Sequence, residues 1–199
     1  MSSFQVYLAS TSPRRRDLLA QLGIRYHALQ IEVDETLHAS EPPEAYVMRL
    51  ACAKAWAGWR HVRDPAYPVL GADTSVVLDG AVLGKPRDRA HGLEMLEQLS
   101  GRSHQVLTAI ALVDGVREAM RLSVSTVVFR ATTAAERDAY WMTGEPLGKA
   151  GGYAVQGRAA IFIAHLTGSF SGVMGLPLYE TAQVLNEFGV AVLDQAGMA

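Results

Sequence analysis

The chain has 199 residues, of which 49% are hydrophobic and 19% charged, and its formal net charge is −2. This balance is ordinary for a globular protein and excludes a disordered chain, a fibrous repeat and a strongly basic, non-specific nucleic-acid binder. The single cysteine excludes an intrachain disulfide framework and a cysteine-rich zinc site. No apolar run approaches the roughly 20 residues that span a bilayer, and no secretory signal is recognisable. We therefore expect a protein of the reducing cytoplasm without a membrane partner.

Apolar runs, turn residues and helix caps predict strands and helices that do not alternate regularly, which is typical of an α/β or α+β protein with a mixed sheet. The first strand is Val6–Ala9, and a helix follows with Ser12 as N-cap, Pro13 at its first position and Gly23 beyond its end. The Asp79-Gly80 pair predicts a tight hairpin turn within residues 75–83. The other predicted elements are an extended segment at 26–33, strands at 69–72, 105–112, 123–129 and 159–166, and helices at 42–60, 88–99, 133–142 and 178–188.

An anion-binding signal lies where the first strand passes into the first helix. Free backbone N–H groups and the helix dipole attract anions there, and the hydroxyls of Ser10 and Ser12 add donors. Arg14, Arg15 and Arg16 stand in the first helical turn, where the dipole disfavours positive charge. The conflict is resolved if the arginines clamp a polyanion with their forked donors. The alternative is an exposed helix start that carries solvated arginines.

Two acidic positions are candidates for metal binding or catalysis. Asp34 and Glu35 follow the extended segment, where adjacent carboxylates either hold a hard cation or stand in an exposed loop. Asp73 follows the apolar strand that ends at Ala72, and strand ends in open sheets border ligand clefts. Asp73 is therefore a candidate general base or metal ligand, and its alternative role is to form the turn before the hairpin. The small Gly71 beside it lets a ligand or another backbone approach closely.

Two lysines are candidates for the same site. Lys54 shares a helix face with apolar residues such as Leu50, so it either reaches into a site or extends to solvent. The hairpin folds Lys85 back towards the strand end that carries Asp73, which makes Lys85 a candidate phosphate ligand. Asp88, three residues later, is the predicted N-cap of the next helix.

The glycine-rich segment 149–157 carries Gln156, whose amide both donates and accepts hydrogen bonds. Uracil and thymine present an acceptor at O4 beside a donor at N3, so one amide can match both, and a carboxylate could not donate to O4. The six histidines show no metal-ligand spacing. Neither a Walker loop nor a dinucleotide fingerprint occurs, which disfavours P-loop phosphoryl transfer and nicotinamide redox chemistry.

Taken in order, these segments resemble the Maf family of nucleoside triphosphate pyrophosphatases. The resemblance extends over nearly the whole chain, from about residue 7 to residue 185. Each segment alone is weak, but their number and order make the resemblance specific. The segments are LASTSPRR at 8–15, VDE at 33–35, RLA with the lysine that follows at 49–54, GADT at 71–74, GKPRD at 84–88, KAGGYAVQG at 149–157 and GLPL at 175–178.

The resemblance implies a fold and an activity. It implies one domain over residues 1–199, with an elongated mixed sheet flanked by helices and two lobes around a central cleft, similar to inosine triphosphate pyrophosphatases. It also implies hydrolysis of dTTP and UTP to the monophosphate and pyrophosphate with Mg²⁺ or Mn²⁺, as a house-cleaning activity linked to cell-division arrest. Many members are homodimers, so a homodimer is expected.

The resemblance also assigns roles to residues of this chain. Asp73 matches the family's proton acceptor, Glu35, Lys54 and Lys85 match its other catalytic positions, and Glu35 and Asp73 would hold the metal. The substrate-binding and specificity positions are Ser10, Arg14, Arg15, Thr74 and Gln156. Three of them, Arg14, Thr74 and Gln156, are the specificity positions that resemble the branch acting on dTTP and UTP. Gly148 departs from the family, because many relatives have an acidic residue there.

Two other activities use the same residues. A 7-methyl-GTP pyrophosphatase belongs to a related branch, which often has Gln and Glu where this chain has Thr74 and Gln156. A non-catalytic regulator of septum formation would bind nucleotide with the same cations but would need no placed base. A nucleic-acid-binding module is disfavoured by the near-neutral charge and by the lack of interleaved basic and aromatic residues.

Overall fold

The computed structural model describes residues 4–62 and 66–193, so residues 1–3, 63–65 and 194–199 of the predicted domain lie outside the described part. Seven strands of the described part form one sheet: β1 (Val6–Ala9), β2 (Tyr26–Leu29), β3 (Val69–Leu78), β4 (Ala81–Leu83), β5 (Ser103–Val113), β6 (Glu118–Phe129) and β7 (Ile163–Thr167). Their order is β2-β1-β3-β5-β6-β7, and β4 also pairs with β3. β1 is parallel to β2 and β3, and the other neighbours are antiparallel. The predicted mixed sheet is confirmed.

Helices cover both faces of this sheet. On β1, Tyr7 and Ala9 pack with the second helix, while Val6 and Leu8 pack with the first and last, as the alternation of strand side chains requires. Among the described residues, no helix is both long and apolar enough to cross a membrane. The α-helices are α1 (Pro13–Gln21), α2 (Pro43–His61), α3 (Arg89–Leu99), α4 (Ala134–Trp141), α5 (Phe170–Met174) and α6 (Leu178–Glu187), with 3-10 turns at Ala150–Gly152 and Arg158–Phe162.

Two predicted segments join the sheet over fewer residues than their predicted ranges, because of their pairing partners. The extended segment 26–33 contributes only four residues to the sheet, since β2 is an edge strand and its partner β1 ends opposite Leu29. The predicted strand at 159–166 begins only at Ile163. There the carboxylate of Glu145 accepts hydrogen bonds from the backbone N–H groups of Arg158 and Ala159, which turns the chain before it can pair. Helix α5 was not predicted, because five residues are too short for a periodic signal.

A close approach of α2 to β3 depends on Gly71. A Cβ atom on Gly71 would overlap the backbone of Ala51 and Ala55, so another side chain would push the helix away. The sequence predicted that either a ligand or another backbone approaches Gly71 closely. The structure shows that the backbone of α2 does so. Asp73 lies two residues further along the same face of β3, and Lys54 lies on the apposed side of α2. The glycine contact therefore sets the distance between this lysine and this aspartate.

A buried histidine on β5, His104, packs among aromatic side chains. His104 on β5 is 3% exposed, and its Nε2 lies 2.7 Å from the hydroxyl oxygen of Tyr153. The rings of Phe129 and Tyr153 pack edge-on against it. Burial disfavours the imidazolium and lowers the pKa of His104 to about 4.

This histidine predicts a loss of stability in mild acid. Between its ordinary pKa and about 4, the unfolded chain binds a proton that the folded chain does not, so the free energy of unfolding falls as the pH falls. The loss by pH 4 is about 3 kcal/mol if the full pKa difference is realised. Urea denaturation from pH 7.5 to 4 should show a steeper decline in the wild type than in His104→Phe, which keeps an aromatic ring. Parallel pH profiles in the two proteins would contradict the prediction.

Candidate active site

The candidate site is a gap in the sheet beside β3. On this side β1 pairs only as far as Gly71 and β4 begins to pair at Val76, so residues 72–75 have no strand partner there among the described residues. Asp73 and Thr74, which point to opposite faces of β3, both line a cavity of about 370 Å³ at the gap. The prediction that a strand ends just before Asp73 is wrong, because β3 continues and the strand that ends is its neighbour β1.

Lys54 lies between two carboxylates at this gap. Its Nζ donates to Glu35 Oε1 and to Asp73 Oδ1, each at 2.7 Å. The side chains of Lys54 and Asp73 are only 12% and 11% exposed, so solvent screens their attraction weakly. Lys54 therefore reaches into the site, which decides between its two predicted alternatives.

Glu35 is held by a second lysine from the hairpin. Lys85 Nζ donates to Glu35 Oε2 at 3.1 Å, so the β3–β4 hairpin does fold Lys85 back towards Asp73 and its partners. Burial alone would raise the pKa of Glu35, but the hydrogen bonds and charges of Lys54 and Lys85 outweigh it and lower that pKa. Asp34 is not among the residues that line the cavity, and its carboxylate accepts a hydrogen bond from the backbone N–H of Thr36 at 2.9 Å.

The three arginines of α1 have different surroundings. Arg14 and Arg15 line the cavity and Arg16 does not, so the predicted clamp of three arginines is wrong for Arg16. Arg15 donates from Nε to the Gly175 carbonyl at 2.8 Å and is committed to the protein. Arg14 lines the cavity and makes no hydrogen bond or ion pair with the described residues. Arg16 does not line the cavity, and its buried Nε has no partner in the described part. Burial lowers the pKa of Arg14 and Arg15, and both remain charged at neutral pH.

Ser10 presents a hydroxyl donor close to the N-terminus of α1. Its Oγ accepts from the backbone N–H of Ser12 at 3.2 Å and from Arg15 Nη1 at 3.3 Å. These two donors use both lone pairs, so the Ser10 proton is left to donate to a ligand. Ser12 occupies the predicted N-cap position, but its side chain makes no capping hydrogen bond.

Residues 148–150 and 153–156 form a second part of the cavity wall. Gln156 is exposed and lines the cavity, as expected for a residue that reads a base. Gly148 also lines the cavity and has a φ of +70°, with no atom within 4 Å of the place a Cβ would occupy. An acidic side chain there would therefore have space, but its backbone would stand in a conformation that favours glycine.

Lys149 is a cavity residue that the sequence reading missed. Its Nζ donates to the backbone carbonyl of Glu145 at 2.5 Å, and it lines the cavity with Arg14. Burial and the nearby charge of Arg14 lower the pKa of Lys149. The signal that could have identified it is its place at the start of the segment that carries Gln156.

The charge of the cavity suits a polyanion. Its lining includes five cationic side chains and two carboxylates, an excess of three positive charges. Such an excess in a partly enclosed space attracts an anion with several charges, such as a triphosphate. The cationic residues are Arg14, Arg15, Lys54, Lys85 and Lys149, and the acidic residues are Glu35 and Asp73.

The acidic residues fit a metal that is shared with phosphate. The described residues contain no group of three or more His, Cys, Asp or Glu side chains that could hold an ion alone. Glu35 and Asp73 nevertheless bring two carboxylates to one cation, the Lys54 ammonium. Mg²⁺ is commonly bound through one or two carboxylates, with waters and substrate phosphates as its other ligands. The donor set is thus suited to a metal bound together with a nucleotide.

Comparison with known proteins agrees with this arrangement. The family model described as "Maf-like protein" matches residues 5–188. The dTTP/UTP pyrophosphatase of Alkalilimnicola ehrlichii is 59% identical over 189 residues, which cover 93% of this chain and 93% of that protein. The dTTP/UTP pyrophosphatase of Aromatoleum aromaticum is 50% identical over 199 residues, which cover 93% of this chain and 96% of that protein.

Among solved structures, that of the Staphylococcus aureus Ham1 protein aligns with 63% of this chain and 71% of its own, at 16% identity and a TM-score of 0.45. The family assignment does not depend on this distant likeness. It rests on the family model, which matches the residues of the described sheet and every residue that lines the cavity. The chain therefore belongs to the Maf family.

Proposed function

We propose that this protein hydrolyses dTTP and UTP to the nucleoside monophosphate and pyrophosphate. The observation that carries the proposal is a cavity whose lining has an excess of three positive charges, which suits a triphosphate, around a nearly buried carboxylate, Asp73. Relatives at 59% and 50% identity are named dTTP/UTP pyrophosphatases, which supports the same reaction here.

The triphosphate would lie over the start of α1. Arg14 has no partner among the described residues and is free to bind phosphate, and Ser10 has a proton to donate. Lys85, which follows the hairpin, and Lys149, from the segment that carries Gln156, would neutralise further negative charge of the triphosphate. The dipole of α1 adds to their attraction. These groups would also stabilise pyrophosphate as it leaves.

Asp73 would direct the attacking water. Lys54 engages Asp73 Oδ1, and Oδ2 accepts no hydrogen bond from the described residues, so Oδ2 can accept one from water. The water oxygen would bond to the α-phosphorus while the bond to the bridging oxygen of pyrophosphate breaks, and the water proton would pass to Asp73. Carboxylates are weak bases at neutral pH, so the positioning of the water by Asp73 must supply much of its effect.

Glu35 and Asp73 would hold a divalent metal, Mg²⁺ or Mn²⁺, together with the phosphates. When bound, the metal would supply positive charge to the phosphate oxygens. Lys54 would orient both carboxylates before the nucleotide arrives, and it lowers the pKa of Glu35. Lys85 donates to Glu35 at 3.1 Å in this structure, and it would move from Glu35 to the phosphates when the nucleotide binds.

Gln156 would read the base, and its replacement gives a test of specificity. In Gln156→Glu the amide donor to O4 of uracil or thymine is lost and a negative charge faces that oxygen. We expect kcat/KM for dTTP and UTP to fall about tenfold relative to GTP, the size of one misplaced hydrogen bond. Competition assays with nucleotide pairs measure this ratio directly. An unchanged ratio would show that the amide does not contact the base.

A pyrophosphate-release assay over a panel of nucleoside triphosphates, with and without Mg²⁺ or Mn²⁺, tests the function. We expect dTTP and UTP to give the monophosphate and pyrophosphate in equal amounts, and only when metal is added. A preference for 7-methyl-GTP would assign the other branch. Nucleotide binding without turnover on any substrate would instead identify a regulator of the septum-formation type.

We further propose a cytoplasmic homodimer of one two-lobed domain that binds no nucleic acid. The near-neutral charge of −2 supports the absence of a nucleic-acid partner, and the single cysteine agrees with a reducing compartment. The dimer and the two lobes are what the family resemblance implies. Light scattering on the eluting protein tests the dimer, and a salt titration with labelled nucleic acid tests the absence of that partner.

A further inference from the structure

Three hydrogen-bond donors converge on the carboxylate of Glu145. Its Oε1 accepts from the Tyr140 hydroxyl at 2.7 Å and from the backbone N–H of Ala159 at 3.2 Å. Its Oε2 accepts from the backbone N–H of Arg158 at 2.9 Å. The Tyr140 hydroxyl in turn accepts from the backbone N–H of Ala154 at 3.3 Å. Glu145 is not among the residues that line the cavity, so its carboxylate acts on the protein and not on a ligand.

These bonds join the two ends of one segment of the cavity wall. Glu145 stands before the lining residues 148–150 and 153–156, and its two backbone donors stand just after them. The ammonium of Lys149 returns to the same residue, because it donates to the backbone carbonyl of Glu145 at 2.5 Å. Glu145 therefore restrains the segment at both ends, close to Lys149 at its start and close to Gln156 at its end.

The network requires a carboxylate at position 145. All three partners donate, and two of them are backbone N–H groups, which cannot reverse their role. An amide has one acceptor oxygen, so a glutamine would set its own N–H against the backbone N–H of Arg158 or of Ala159. Burial alone would raise the pKa of Glu145, but these hydrogen bonds and the charge of Lys149 outweigh it and lower that pKa. Glu145 is therefore a charged acceptor at neutral pH.

The glycine beside Gln156 leaves room for this carboxylate. A Cβ atom on Gly157 would lie between 2.3 and 2.5 Å from the carboxylate atoms of Glu145, which is closer than non-bonded atoms approach. The φ of Gly157 is −105°, outside the left-handed region that favours glycine. Glycine is thus needed at this position for the contact with Glu145 and not for a positive φ.

We propose that Glu145 is a positioning residue that sets base selectivity by holding Gln156 in place to read uracil or thymine. The inference rests on the proposed function and deepens it, because it names a residue outside the cavity on which the reading of the base depends. The reacting groups Asp73 and Lys54 belong to β3 and α2, whereas the donors to Glu145 belong to other segments. Loss of this anchor should therefore change the binding of the base more than the chemical step.

A double-mutant cycle between Glu145 and Gln156 tests the positioning role. In Glu145→Gln the ratio of kcat/KM for UTP to that for GTP should fall about tenfold, the size of one misplaced hydrogen bond, mainly through KM for UTP. Gln156→Ala should lower the ratio by a similar factor. Because Glu145 acts on selectivity only through Gln156, the double variant should have no lower ratio than Gln156→Ala. The ratio cancels the effect of Lys149 on the phosphates, which both nucleotides share.

Gly157→Ala tests the same contact from the other side. The new methyl group should displace the Glu145 carboxylate and lower the UTP-to-GTP ratio as Glu145→Gln does. In Glu145→Ala there is no carboxylate to displace, so adding Gly157→Ala should lower the ratio no further. A direct effect of the methyl group on Gln156 would persist in the double variant.

Glu136→Gln is the matched control. The Glu136 carboxylate also accepts a hydrogen bond from a backbone N–H, that of Thr133 at 2.7 Å, and Glu136 does not line the cavity. Its UTP-to-GTP ratio should equal that of the wild type. Thermal unfolding of every variant shows which of them fold. Tyr140→Phe removes one of the three donors to Glu145 and keeps the ring, so it replaces Glu145→Gln in the cycle if that variant does not fold, with a smaller fall in the same direction.

The outcomes separate this inference from the proposed function. A fall in the ratio that is non-additive in both cycles supports the inference. An unchanged ratio in the folded variants, or additive losses in either cycle, would overturn it while UTP hydrolysis by the wild type still stands. A wild type that hydrolyses neither UTP nor dTTP would instead refute the proposed function.

Discussion

Replacing Asp73 with asparagine is expected to lower kcat for dTTP hydrolysis about 10²–10⁴-fold, the range that general acid–base catalysis contributes. Asparagine has nearly the same shape and can still accept the hydrogen bond of Lys54, but it cannot take a proton from water. Affinity for a non-hydrolysable dTTP analogue should stay close to that of the wild type. Steady-state kinetics and titration calorimetry measure the two effects.

Asp79→Asn is the control for this substitution. Asp79 lies on the same hairpin, pairs with Arg102 at the surface and has a φ of +51°, which asparagine also adopts readily. Its turnover should match the wild type. Near-normal turnover in Asp73→Asn would remove Asp73 from the mechanism, and equal losses of turnover and binding would assign it to substrate binding alone.

Replacing Lys54 with methionine is expected to lower kcat for dTTP about a hundredfold, the loss typical when one preorganised charge is removed. Methionine fills the space but leaves Glu35 and Asp73 facing each other without the ammonium that bonds to both at 2.7 Å. Glu35 then keeps only Lys85 and gains an unshielded carboxylate neighbour, so its pKa should rise and the acid limb of the pH–rate profile should move to higher pH. Kinetics from pH 5 to 9 measure this shift.

Lys85→Met provides the contrast for Lys54. Lys85 is 61% exposed and contacts Glu35 only, so its loss should raise KM more than it lowers kcat and should leave the acid limb nearly in place. Equal effects of the two substitutions would show that Lys54 acts only through the general charge of the cavity. An unshifted acid limb in Lys54→Met would show that Lys54 does not control the ionisation of Glu35.

The local elements could be predicted because their signals are contained in a few neighbouring residues. Asp79 and Gly80 both have positive φ angles, as the predicted tight turn requires, and Asp88 accepts a hydrogen bond from His91 N as the predicted N-cap of α3. The α2 bounds were also predicted closely. Each of these features depends on backbone conformations that particular side chains favour.

The arrangement of the site depends on contacts that local patterns do not contain. An aspartate after an apolar run is typical of a strand end, but β3 continues past Asp73 because it stays paired with β5. Lys54, 19 residues earlier, satisfies the Asp73 carboxylate. Composition alone could not distinguish Arg14 from Arg15, because their difference arises from the Gly175 carbonyl, 160 residues after Arg15. The candidate residues named through the family resemblance all line one cavity, but which of them contact each other could be seen only in the fold.

Hydrolysis of dTTP in water enriched in ¹⁸O tests most directly whether the site aims water at the α-phosphorus. Mass spectrometry of the products after a single turnover locates the new oxygen. Attack at the α-phosphorus by a water that Asp73 directs places the label in dTMP and leaves the released pyrophosphate unlabelled. Label in the pyrophosphate would mean that water attacks the β-phosphorus, which would contradict the geometry assigned to this cavity.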